Sequence, residues 1–187
     1  HVRHFAEYRH DLAALLAEPR LAALPGPRVL VGHSMGGAIA LGAVADGLAE
    51  EPRAVVLTAP MLGIRLSRGA RAAARALTAA GRVARLASRW PPMPGARRPY
   101  VQFHPFAGNV LTGDEALYRW CAEALAAEPR LRLGAPTLGW LRAAMREMRR
   151  LAHLPPPSMP CLVTLGTREL VVDPDAVRRG ARRIGAE

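Results

Sequence analysis

The chain has 187 residues, half of them hydrophobic and 22% charged, with 17 glycines and 17 prolines spread along its length, a globular composition that excludes fibrous and low-complexity classes. Cys121 and Cys161 form no C-x-x-C or histidine-bearing cluster, and no stretch reaches the roughly 18 uninterrupted apolar residues of a spanning helix, so a disulfide scaffold, a zinc module and a transmembrane segment are set aside. Every basic residue behind the formal charge of +11 is arginine, since no lysine occurs; its paired donors suit phosphate, but the charge alone does not establish an anionic partner, and with no nucleic-acid motif and no aromatics interleaved with the basic residues a DNA or RNA binder is the last of the readings.

In chain order, Phe5, Tyr8, Leu12, Leu15 and Leu16 have the spacing of an amphipathic helix over residues 3–17. Arg28 to Val31 reads as a short buried strand, Met35 to Leu48 as a helix, and Ala54 to Thr58 as a second strand stopped by Ala59-Pro60. A strand, helix, strand unit implies a parallel sheet. From Leu66 to Ser88 an alanine-rich helix carries Arg68, Arg71, Arg75, Arg82, Arg85 and Arg89 as one stripe, followed by a Pro/Gly-rich link. Further helices are expected near Glu115 to Ala127 and Pro136 to Leu151. Pro155 to Pro157 close this section, MPCLVTLG returns to strand character, and Asp173-Pro174 opens a last helix with Asp173 as N-cap. The reading is an α/β chain with a core in two parts, residues 1–60 and 160–187, separated by a helical insertion over 61–159 that is too long for a loop and has the character of a cap.

Residues 28–41, RVLVGHSMGGAIAL, place Ser34 in a G-x-S-x-G motif between the first strand and the following helix. A serine hydroxyl is a poor nucleophile unless a base and oxyanion donors surround it. The motif supplies a strained strand-to-helix turn, Gly32 and Gly36 avoid collisions there, and the Met35 backbone N–H at the helix start is one oxyanion donor. His33 occupies the variable position, with its side chain directed away from the nucleophile. The acid is sought after a later strand, where Glu169 is preferred and Asp173, with its competing capping role, is second. The triad order serine, acid, histidine then meets a difficulty, because His1, His4, His10, His33, His104 and His153 all precede Glu169. His104 and His153 belong to the insertion and its flanks, where a surface or packing role is the simpler reading. The triad histidine and the second oxyanion donor are therefore expected outside this chain, as in an internal fragment.

GHSMGGAIAL, TAPMLGI, NVLTGDEALY, LGAPTLGWL and LGTRELVVDP occur in the order seen in PldB-type bacterial lysophospholipases, relatives of the monoacylglycerol lipases, and the chain resembles that group over nearly its whole length. The resemblance implies an α/β-hydrolase fold with a helical cap, a nucleophile at Ser34, an acid at Glu169, and no metal or organic cofactor. It implies hydrolysis of a lipid ester, a lysophospholipid first, with a monoacylglycerol or a general carboxylic ester as alternatives. Met61 and Trp140 are candidate substrate contacts, and Arg142, Arg146, Arg149 and Arg150 add basic character for an anionic headgroup or membrane surface. A cytoplasmic protein, at most peripheral to the inner membrane, is expected. A non-catalytic lipid- or anion-binding protein is the alternative from another class, should Ser34 have no base.

Overall fold

The computed structural model describes residues 2–48, 52–67, 84–91 and 96–186, together with residues 69, 72, 73, 76 and 79. The chain divides into two compact units, one formed by Val2–Ser67 with Ala143–Glu187, the other by Arg68–Arg142. Residues 61–67 and 143–159, assigned to the insertion by the sequence, thus group with the sheet.

The sheet unit opens with α1, Phe5–Leu16, whose first turn is closed by Glu7: its Oε1 accepts the N–H groups of Arg3 and His4, each at 2.8 Å. These two bonds hold the Glu7 carboxyl below its ordinary pKa. A short helix, α2 (Pro19–Ala22), follows, capped by the Glu18 carboxylate with proline in the first position. Strands β1 (Val29–His33), β2 (Ala54–Thr58) and β3 (Cys161–Thr164) form a parallel sheet in that order, with His33 opposite Thr58 and Thr58 opposite Thr164. Parallel pairing needs long crossovers; α3 (Met35–Ala45) makes the first. On the face toward α3, Val55, Leu57 and Cys161 are 1%, 0% and 7% exposed, and burial pushes the Cys161 thiol pKa up. On the other face Val29 and Val31 are 51% and 65% exposed, so the first strand is not buried on both sides as expected.

Helix α3 stops at Ala45, three residues short of the expected end. Gly47 takes φ 65°, its N–H bonds to Val44 O at 3.0 Å, and the Leu48 N–H reaches back to Ala43 O at 2.9 Å. This is a Schellman stop, which glycine adopts without the Cβ clash that other residues meet.

Behind α3 lies a charge network that the sequence reading did not contain. Arg9 and Glu147, each 6% exposed, pair at 2.7 Å. Arg150 reaches Asp46 at 2.8 Å and Glu147 at 3.0 Å. The Arg9 Nε lies 2.7 Å from Asp46 Oδ2 as a charge contact and not an aligned hydrogen bond. Burial alone would lower the Arg150 pKa, yet Glu147 and Asp46 together raise it. A Cβ at Gly42 would stand 2.8 Å from Arg150 Nη2 and 2.9 Å from Glu147 Oε1, so the glycine lets the network close onto the helix. Arg150 is therefore a structural ion-pair partner and not a member of a free basic patch.

The second unit contains α4 (Ala84–Ala87), α5 (Tyr100–Phe103), α6 (Glu115–Ala127), a 3-10 turn at Pro129–Leu131 and the first residues of α7 (Leu138–Leu151). Nearly half of the expected helix over Leu66–Ser88, including Arg68, Arg71, Arg75 and Arg82, lies outside the described residues. The N-x-L-T-x-D pattern is a loop-to-helix device. Asn109 Oδ1 accepts from Leu111 N and Thr112 N, Thr112 Oγ1 accepts from Asp114 N, and Asp114 Oδ1 caps α6 through Leu117 N at 3.0 Å. In G-x-P-T-x-x-W, a Cβ on Gly134 would lie 2.6 Å from Ala96 O, and Thr137 Oγ1 accepts the Trp140 N–H at 3.3 Å.

Candidate active site

Ser34 stands between β1 and α3 with φ 51° and ψ −117°, a conformation that costs a non-glycine residue about 1–3 kcal/mol and persists only where its surroundings impose it. Four backbone bonds do so. Ser34 N donates to Thr58 O at 2.9 Å, and Ser34 O accepts from Met61 N at 2.9 Å, Gly37 N at 3.1 Å and Ala38 N at 3.3 Å. At about 0.5–1.5 kcal/mol net each, they are sufficient to offset the strain.

The glycines around the serine divide their work differently from expectation. A Cβ on Gly32 would stand 2.7 Å from Gly37 Cα and 2.8 Å from Gly36 O, and one on Gly37 would stand 2.9 Å from Pro60 Cβ. At Gly36 it would meet nothing within 4 Å. Gly32 and Gly37, not Gly36, are the positions where α3 comes too close to β1 and to Pro60 for a side chain. The GG pair marks this approach in the sequence, but only the crossing of helix over strand says which glycine faces inward.

The segment after β2 ties the serine to the loop after β3. Ala59, at φ 43°, donates to Thr164 O at 2.8 Å; Met61, two residues on, holds Ser34 O. Ile64 then bridges Val172 in antiparallel fashion, Arg65 N donates to Val171 O at 3.0 Å, and Asp173 N donates to Gly63 O at 3.0 Å. Arg65 Nη1 also donates to Glu169 O at 3.0 Å. A Cβ on Gly63 would lie 2.6 Å from Ala176 Cβ, so this approach also demands glycine. Gly63, Ile64 and Arg65 had no role assigned from sequence. The proline stop after β2 hid a second pairing segment, and an isolated bridge leaves no periodicity to detect.

Glu169 is half-buried, and its Oε1 accepts Val171 N at 2.6 Å and Val172 N at 2.9 Å, which fixes the carboxylate on its own loop. Asp173 Oδ1 accepts Asp175 N at 3.0 Å and Ala176 N at 3.3 Å at the start of α8, Pro174–Arg183, the capping role weighed against it as a site acid. The parallel register puts the residues after β1, β2 and β3 at one sheet edge, so Ser34 and the Glu169 loop both leave from it.

Met35 is the first residue of α3, where backbone N–H groups have no intrahelical acceptor and the helix dipole is positive. Met61 is 5% exposed next to the serine backbone, whereas Trp140 is half-buried in α7 within the other unit. His33 pairs with Thr58 Oγ1 through Nδ1 at 2.8 Å, across the strands. His104 stacks on Tyr100 at 4.3 Å between centroids in the second unit, and His153 is exposed just past α7. Arg146 and Arg149 are exposed and Arg142 half-buried. Among the described residues, no group of three or more His, Cys, Asp or Glu side chains could hold a metal ion, and no helix is long and apolar enough to cross a membrane.

Residues 1–187 match the Hydrolase_4 family, described as Serine aminopeptidase, S33. Lysophospholipase L2 of Escherichia coli strain K12 is 33% identical over 179 residues, which cover 92% of this chain and 50% of the relative; the protein of the same name from Escherichia coli O6:H1 gives the same values. The chain thus spans about half the length of the curated relatives it matches. In fold it is similar to a monoacylglycerol lipase of Paleococcus ferrophilus, with a TM-score of 0.66 and 16% identity over 98% of this chain and 62% of that one. It is also similar to a soluble variant of monoglyceride lipase from Saccharomyces cerevisiae in complex with a substrate analog, with a TM-score of 0.65 and 15% identity over 97% and 56%.

Proposed function

Because the chain belongs to the serine aminopeptidase family of α/β-hydrolases, we propose that it carries the nucleophile and the acid of a serine hydrolase that cleaves carboxylic esters of lipids, a lysophospholipid first. The observation that carries the reading is the strained Ser34 elbow at the same carboxyl edge of a parallel sheet as the Glu169 loop. Ser34 Oγ attacks the ester carbonyl while a histidine carried outside these 187 residues takes its proton; Glu169, with Oε1 already held, orients that histidine through its other oxygen. The Met35 N–H donates to the oxyanion. The tetrahedral intermediate collapses, the alcohol leaves with the proton from the histidine, and an acyl ester remains on Ser34. Water, deprotonated by the same histidine, then attacks this ester and releases the fatty acid. The insertion, narrowed to the unit Arg68–Arg142, acts as the cap, with Met61 and Trp140 as substrate contacts.

The lysophospholipid is preferred because Lysophospholipase L2 is 33% identical, while the monoacylglycerol and monoglyceride lipases share the fold at 16% and 15% identity. The test is hydrolysis of matched lysophosphatidylethanolamine and monoacylglycerol by the longest product of the gene, beside its Ser34→Ala variant. Faster turnover of the phospholipid, abolished in the variant, is expected. A preference for the monoacylglycerol overturns the substrate class and leaves Ser34 in place. Full activity in the variant overturns the mechanism.

A further inference from the structure

A cavity of about 310 Å³, with no residue of the serine elbow in its walls, lies in the sheet unit between α8, the end of α7 and the segment after β2. Its walls include Leu62, Leu151, Ala176 and Gly180, with Arg179 and Arg183 beside them. The size falls at the lower end of the range of small-molecule sites. A Cβ on Gly180 would meet only the Leu62 Cδ1 tip, which a rotamer change can move.

The two arginines differ in state. Arg183 is committed to structure: its Nη2 donates to Leu151 O at 2.6 Å and its Nη1 to Leu154 O at 3.2 Å, capping the carbonyl end of α7. Arg179 is exposed at the rim, and Arg182, one turn away on the helix, is exposed as well. Arg178, on the same helix, makes a solvent-exposed contact of 3.4 Å with Asp175. The opposite side of α8 is anchored by Val177 and Ile184, 1% and 4% exposed. A positive charge in the last turn suits the helix dipole, which explains Arg182 and Arg183 but not Arg178 and Arg179 in the middle.

The geometry points to a binding site for an anionic membrane phospholipid, with the phosphodiester on Arg179 and Arg182 and the first methylenes of one acyl chain against Leu62, Leu151 and Ala176. Guanidinium forks suit phosphate oxygens in pairs, and a basic helix face beside an apolar recess is the composition of a surface-bound and not a spanning contact. A free phosphate would use the arginines alone and leave the apolar wall unused. The site would hold the protein at an anionic bilayer independently of any chemistry at Ser34.

The test is co-sedimentation of the full chain with vesicles of phosphatidylcholine alone and of equal parts phosphatidylcholine and phosphatidylglycerol. Each basic residue near an anionic surface contributes a factor of about five in partition, so Arg179→Glu with Arg182→Glu is expected to lose about 25-fold or more on the anionic vesicles. Arg20→Glu with Arg53→Glu, which makes the same change in net charge outside α8, is expected to lose far less. Ala152→Leu, placed at the exposed cavity wall, should weaken binding most at high salt, where the apolar contribution dominates. Equal losses in the two double variants would reduce the effect to net charge and overturn the site, as would unchanged binding in both. Ser34→Ala should bind like the parent, so that failure of the hydrolase reading and failure of this one are separately visible.

Discussion

Replacing Gly32 by alanine would put a methyl carbon 2.7 Å from Gly37 Cα, 2.8 Å from Gly36 O and 2.9 Å from Gly36 C. All three neighbours are backbone, so no rotamer change can relieve the contact; α3 itself has to move from β1. Overpacking of this kind costs about 1–3 kcal/mol, which for a chain of this size lowers the thermal midpoint by roughly 2–12 °C. The same movement pulls on Ser34, whose carbonyl accepts from Gly37 N and Ala38 N, so the elbow loses two of the bonds that impose its φ of 51°. Gly36→Ala adds the same atom into open space at the second residue of the helix. By restricting the unfolded chain it should be neutral or stabilising by about 0.4–1 kcal/mol. Thermal unfolding followed by circular dichroism compares the two directly. If Gly36→Ala costs as much as Gly32→Ala, the division of labour among these glycines is wrong.

Glu147→Ala removes the partner that Arg9 meets at 2.7 Å and leaves a guanidinium only 6% exposed; a loss of about 3–5 kcal/mol is expected in denaturant unfolding. Arg150→Ala should cost clearly less, since Glu147 and Asp46 keep Arg9, and equal losses would show that the network does not centre on the buried pair. The pKa of the buried Cys161 thiol is raised in the folded state, so the native protein holds that proton to higher pH than the unfolded chain. The resulting stability is fully present below the unfolded thiol pKa and is lost as pH rises through the folded value. Cys161→Ala should flatten this alkaline limb in a pH series of unfolding midpoints, and an unchanged limb would assign it to other groups.

Much of the fold was legible because it is local. The strand over Ala54–Thr58, the helix over Glu115–Ala127 and the Asp173 cap all stand where composition, periodicity and capping chemistry put them. Gly47 could have been read as a helix stop, since an Asp-Gly pair follows an apolar helical run, and α2 announces itself with Glu18-Pro19. The Arg9 to Glu147 pair could not, because 138 residues separate its members and neither residue alone differs from a solvated charge. The face of β1 also escaped. VLV is apolar at every position, so it carries no alternation to say that Val29 and Val31 are exposed while the other face meets α3.

The candidate site was legible as residues but not as an assembly. G-x-S-x-G identifies a strained serine because the motif and the strain occupy the same few residues. The relation of Ser34 to Glu169 depends on Ala59 to Arg65, which looks in the sequence like a strand ending in a proline turn. In the fold this segment reaches two ways: through Met61 to the serine carbonyl, and through Gly63 and Arg65 to the backbone of the acid loop. It has the sequence of a connection and the hydrogen bonds of a strand edge. Positioning at this site is therefore a property of backbone groups, which every residue carries and no motif distinguishes. The side chains that matter along the segment are those that are absent, as at Gly63, where a Cβ would force the segment away from Asp173 and Ala176 at the start of α8.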